Sequence, residues 1–197
     1  MRTPLPVRTD GKFTVEEYLA FIESRPDDER WQLIDGVAMM MPPPTVPHQI
    51  IAGNLAWELN ALFRRQRRKL LAVQEVGLMV PSIANFRARV DMAVLDKPFR
   101  LKVPYADRFY LVMEVLPDSS TDKDIAAKSR CYIQHPQNLY YLLVDQDEAS
   151  VEIRARAQGW ELAELKGLDA ILELPEWGFR ISLADLYDGM ALGVTEQ

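Results

Sequence analysis

Two acidic residues stand in the middle of apolar runs, and their placement is the first sign of chemistry. In "RVDMAVLD" (89–96), side-chain alternation along a strand puts Asp91 on one face with Ala93 and Leu95. In "FYLVMEVL" (109–116), it puts Glu114 with Tyr110, Val112 and Leu116. Both runs carry apolar residues on their two faces, the pattern of central strands. An unpaired carboxylate in such a place costs several kcal/mol or takes up a proton. The remedies are a metal cation or a basic side chain, and a hard divalent ion such as Mg²⁺ prefers carboxylate oxygen. The competing reading places each acid near a strand end, accepting hydrogen bonds from main-chain amides or from Arg87 and Arg89. Directly after the second run, Asp124, Lys128 and Tyr132 recur every four residues and so line one helical stripe. That helix leaves the strand that carries Glu114, so its first turns can fold over the strand's C-terminal end, where ligands gather in open α/β sheets. Lys128 can then set an ammonium beside the carboxylates, to hold a water or steady developing negative charge. The alternative for Asp124 and Lys128 is an ordinary surface pair.

The elements that must position these groups are legible in the pattern. Thr14 and Glu17 form a capping box for a short helix ending near Ser24. "WQLIDGVAMMM" predicts a hairpin turning at Asp35-Gly36, and Pro42 to Pro44 end it. The spacing of Ile51, Leu55, Leu59 and Leu62 predicts a helix running to "RRQRRK". Strands are expected at about 70–80, 88–95 and 108–116, with turn and capping groups at Asp118 to Thr121 and a helix over 122–134. "LYYLLVD" and "SVEIRARA" give two more strands, followed by "WELAELK", an apolar piece near Ile171 and a last helix opened by Ser182. The expected fold is an α/β (α+β) domain over residues 1–197, a central mixed β-sheet flanked by helices, with an N-terminal helix and hairpin. The helix over 122–134 should join two parallel strands.

Composition bounds the function. Hydrophobic residues are 48% and charged residues 26% of the 197, as in globular domains. No apolar run is long enough for a membrane span, and no apolar stretch follows the N-terminal arginines as in a secretory signal. A cytoplasmic protein is expected. Cys131 is the one cysteine, which excludes an internal disulfide and a cysteine-based zinc cage. Net charge is −6, but residues 64–102 hold ten Lys/Arg against three Asp/Glu, while 145–197 hold four against twelve. The basic stretch of Arg64, Arg65, Arg67, Arg68 and Lys69 is either a phosphate track or a solvated helix end. His48, after a proline run, either caps the second helix or reaches the mouth of a site. The methionines of "AMMMPPP" fill core or form an adaptable contact surface. Trp57, Trp160 and Trp177 are expected to pack.

The segments "FTVEEYLAFIES", "WQLIDGVAMMMPPPTVPHQIIAGNLAWEL", "VDMAVLD", "LVMEVLPDSSTDKDIAAKSRCYIQHPQNLYYLLVD" and "VEIRA" occur in an order and spacing that resemble the Uma-type "putative restriction endonuclease" family, a branch of the PD-(D/E)XK nuclease superfamily. The resemblance implies a restriction-endonuclease-like core that binds Mg²⁺ or Mn²⁺ and hydrolyses a phosphodiester with metal-activated water. It matches Asp91 to the aspartate of the "PD" half-motif and Glu114 to the acid of the "(D/E)XK" half-motif. Leu116 stands where the superfamily has lysine, with Lys128 as the substitute from the helix. Asp124 and His48 match recurrent polar positions. Gln32 replaces a glutamate usual in the family, which weakens a metal site, and Val90 replaces the motif's proline.

The resulting expectation is a metal-dependent endonuclease acting on DNA. Asp91 and Glu114 hold the ion, Lys128 orients water or steadies charge, Gln32 lends an amide oxygen, and a homodimer is expected by analogy. The alternative is a catalytically silent nuclease fold serving as a binding or regulatory module. A small-molecule hydrolase using the same acids is a third class, with no specific signal.

Overall fold

The computed structural model describes residues 11–99, 104–116 and 122–192, apart from the side chains at 122–124. The Thr14 capping box forms as expected: its hydroxyl accepts from the Glu17 amide, and the Glu17 carboxylate accepts from the Thr14 amide. It opens α1 (Val15–Glu23). A hairpin of β1 (Arg30–Ile34) and β2 (Val37–Met41) follows. Its turn residues Asp35 and Gly36 have φ of 51° and 82°, as a two-residue turn with both centres left-handed requires.

The helix α2 (Val46–Arg65) is capped by Thr45 and buries Ile51, Leu55, Leu59 and Leu62, the predicted stripe. It lies against a six-stranded sheet ordered β3-β4-β5-β6-β7-β8. The strands are β3 (Leu70–Leu78), β4 (Ala88–Asp96), β5 (Phe109–Leu116), β6 (Tyr140–Asp145), β7 (Ser150–Ala155) and β8 (Leu162–Lys166). Only β5 and β6 run parallel; the other neighbours are antiparallel. The connection between those two carries α3 (Asp122–Gln134), because parallel neighbours need a crossover. The predicted capping groups at Asp118 to Thr121 lie outside the described residues.

The sheet is mixed and central, as the sequence predicts. Met92, Val94, Leu111 and Met113 pack on one side with α2, while Ala93, Leu95, Phe109 and Val112 pack on the other with Cys131 and Tyr132 of α3. Cys131 is buried there as a small apolar group. A second hairpin, β9 (Ile171–Leu174) with β10 (Phe179–Ser182), covers the α2 side and leads into α4 (Leu183–Leu186). The strand β10 is absent from the sequence reading; four residues interrupted by Arg180 give too short a pattern to recognise. Trp177 is buried as expected, but Trp57 is 73% exposed on the outer face of α2, so that packing expectation fails. A tryptophan on a helix carries no signal of facing inward when its neighbours at helical spacing already supply the apolar stripe. Among the described residues no helix is long and apolar enough to cross a membrane.

Candidate functional site

The site sits where two ladders among three adjacent strands fall out of step. Pairing of β4 with β5 reaches Met92 opposite Met113, and the next positions in that register are Asp91 and Glu114, which do not pair. Pairing of β3 with β4 runs through Gln74–Met92 and resumes at Val76–Val90, so Glu75 stands opposite Asp91. Glu75 takes a left-handed backbone, φ 48°, which costs a non-glycine residue about 1–3 kcal/mol. Glu75, Asp91 and Glu114 thus form one row of carboxylates across three adjacent strands.

Each acid has a different partner. The Lys128 Nζ, from α3, donates to Glu114 Oε2 at 2.6 Å, and the two residues are only 7% and 8% exposed. The main-chain amide of Val115 donates to Asp91 Oδ2 at 2.7 Å, and Nε2 of His48 lies 2.7 Å from Asp91 Oδ1. Glu75 is held by Arg30 of β1 and by the Gln49 amide of α2. Arg87 points away, its Nη1 donating to the Phe86 carbonyl. Arg89 forms no hydrogen bond or ion pair among the described residues. Of the competing reading, the main-chain part holds for Asp91, which accepts from the Val115 amide with His48 Nε2 close by, while the arginine part does not hold, since Glu114 is tied by a lysine.

Burial is the main force raising the Glu114 pKa; Lys128 opposes it, and the Asp91 charge adds to it. The phenols of Tyr132 and Tyr141 are pushed up by burial first and by Glu114 second. Neither hydroxyl has a hydrogen-bond partner among the described residues. Glu114 Oε1, Gln32 Oε1 and His48 Nε2 are buried and unsatisfied as well, the last because its approach to Asp91 is off the hydrogen-bonding axis. Such groups are rare in folded proteins, and three of the six among the described residues, on Gln32, His48 and Glu114, line one cavity. A cavity of about 500 Å³ is lined by Gln32, His48, Asp91, Glu114 and Lys128, with Met39 to Pro44 as an apolar wall.

The structure therefore brings together five of the residues singled out from sequence. Lys128 and Tyr132 reach Glu114 from one helical stripe, which sets aside the surface-pair reading of Lys128. The Asp124 side chain lies outside the described residues. The cap of α2 is Thr45, and His48 reaches into the site instead. The basic stretch is elsewhere. Arg64 and Arg65 end α2, about 26 Å of helix from His48, and Arg67, Arg68 and Lys69 follow in the exposed turn. Arg68 is turned toward Gln66 and the Glu176 carbonyl. Glu75 and Arg30 escape the sequence reading, since one acid in an edge strand and one arginine at a strand start are ordinary surface features. Only the register of β3 on β4 marks Glu75.

The architecture is an α+β fold with a central six-stranded mixed sheet, with carboxylates at its broken end faced by a lysine from the crossover helix. The chain belongs to the Uma2 family, described as "Putative restriction endonuclease", whose model matches residues 15–184. A solved structure, a putative nuclease belonging to DUF820 from Anabaena variabilis ATCC 29413, is similar with a TM-score of 0.69 and 19% identity, over 89% of this chain and 97% of that one. No curated protein matches the chain.

Proposed function

We propose that the chain is a metal-dependent phosphodiester hydrolase acting on DNA, with Asp91 and Glu114 as the metal ligands. The observation that carries this is the pair of buried, unsatisfied oxygens, Glu114 Oε1 and Gln32 Oε1, lining one cavity with the Asp91 carboxylate. An all-oxygen donor set with one or two carboxylates suits Mg²⁺ or Mn²⁺, which keep several waters. Once bound, such an ion lowers the pKa of a coordinated water and offsets charge on the phosphate.

The chain's own residues supply the rest. Val115 N–H fixes one Asp91 oxygen and leaves Oδ1 toward the cavity side where His48 stands. Lys128, already donating to Glu114, has further ammonium protons for a water or a phosphate oxygen. His48 Nε2, buried 2.7 Å from Asp91 Oδ1, helps to hold that carboxylate toward the cavity. A homodimer, with one site for each DNA strand, belongs to this reading.

A silent binding module is the second reading. Gln32 is an amide, and among the described residues no three His, Cys, Asp or Glu side chains are arranged to enclose an ion. Calorimetric titration with Mn²⁺ and nicking of supercoiled plasmid separate the two. Saturable binding and nicking, both lost in Asp91→Asn, are expected. Plasmid binding indifferent to EDTA and to Asp91→Asn, without Mn²⁺ uptake, would leave the silent module.

A further inference from the structure

The cavity beside the acids has an apolar wall and almost no uncommitted positive charge. Met39 and Met41 lie two apart on β2, Pro42 to Pro44 continue the wall, and Leu116 and Ile125 face the same space. At about 500 Å³ it has the size of a site for one nucleotide-sized ligand. Methionine adapts to flat aromatic surfaces and favours sulfur–ring contact. Three cations line the cavity, Arg30, Arg89 and Lys128, against three carboxylates, Glu75, Asp91 and Glu114. Arg30 and Lys128 are already committed to Glu75 and Glu114. Arg89, two positions before Asp91 on β4, is the lining cation without an anion among the described residues.

A duplex is held chiefly by many phosphate contacts and the counterions they release. This cavity offers few, Arg89 and the protons Lys128 has left, and the basic turn stands about 26 Å of helix away at the other end of α2. We infer that the substrate enters as a single unstacked nucleotide, with its base on the Met39–Pro44 wall and its phosphate on Arg89. This deepens, and rests on, the hydrolase reading above. Single strands, flaps and frayed ends supply such a nucleotide, because an unstacked base exposes the π-face that an apolar wall can cover. Exposed Met40, with the prolines beside it, forms the rim over which the strand enters.

The test is fluorescence anisotropy with Ca²⁺ replacing Mg²⁺, using labelled oligothymidylate, oligouridylate and a hairpin duplex of equal length. At least one single strand is expected to bind about tenfold tighter than the duplex, a difference of ~1.4 kcal/mol. Which single strand binds tells DNA from RNA. Arg89→Gln and Met40→Ser should each weaken that binding severalfold; Met40 is exposed, so its variant tests the wall without disturbing the core. Duplex binding as tight as single-strand binding, no binding of any probe, or full affinity in both variants would overturn the inference. Mn²⁺ titration of the wild-type protein alone reports on the metal reading separately, since it involves no nucleic acid.

Discussion

The two ends of α2 are built on opposite principles. At its start, His48 meets a row of carboxylates in a cavity where several buried polar atoms have no partner among the described residues. At its end, Arg64, Arg65 and the turn that follows are exposed to solvent. The end with the strongest charge signal in the sequence is the end with the least structural commitment. Surface charges are screened and individually weak, whereas buried groups left unsatisfied cost enough that a fold must have a reason to keep them. Charge density therefore says little about where a fold keeps unsatisfied groups; buried charge says more.

The contrast can be broken most forcefully at Lys128. Lys128→Met leaves Glu114 buried without its cation, and loss of one partner of a buried pair destabilises by about 3–5 kcal/mol. Urea unfolding at neutral pH measures it, and the loss should shrink in acid as Glu114 takes up a proton. A change below ~1 kcal/mol would mean that the pair is more hydrated than its burial indicates.

Gln32→Glu comes next. A third carboxylate on the cavity should lower metal-free stability by about 1–3 kcal/mol, and, if the site holds Mn²⁺, should tighten its binding by about tenfold. Calorimetry and thermal unfolding with and without Mn²⁺ test both arms. Unchanged stability together with unchanged affinity would place Gln32 outside the metal's reach.

The pH dependence follows with a smaller effect. The folded-state pKa of Glu114 is raised above its ordinary value of 4.5, so the folded chain holds this proton more tightly than the unfolded one. Its contribution is fully present below that ordinary value and is lost as pH rises through the folded pKa. Metal-free protein should therefore show a component of urea stability that declines upward from pH 4.5, and Glu114→Gln should remove that component. Identical slopes in the two proteins would dissociate burial from titration.

At the basic end the expectation is near zero. Arg64→Ala with Arg65→Ala should change stability by no more than about 0.5 kcal/mol, and should alter oligonucleotide affinity less than Arg89→Gln alone. The reverse ranking in a salt-dependent binding assay would favour Arg64 to Lys69 as the phosphate track.

Much of the fold was readable in advance because its signals are local. The capping box at Thr14, the Asp35-Gly36 turn, the apolar stripe of α2 and the doubly apolar strands each lie within a few residues. The acids of the site were legible for the same reason, since Asp91 and Glu114 break apolar runs. Glu75 was not, because its meaning lies in standing opposite Asp91 across a ladder, and register is set by pairing between segments. Trp57 misled because a tryptophan's bulk says nothing about which way its helix turns.

What the sequence determined by itself is the set of elements, the central strands and the two acids inside them, since periodicity and composition act over short distances. The tertiary structure alone decided that Lys128 pairs with Glu114 and Arg30 with Glu75, that Arg89 is left uncommitted among the described residues, and that the arginine-rich turn stands apart from the cavity. The physical reason is that ion pairing and burial depend on separations in space between residues far apart in the chain, and these exist only once the strands have paired and α2 and α3 have packed on their two faces.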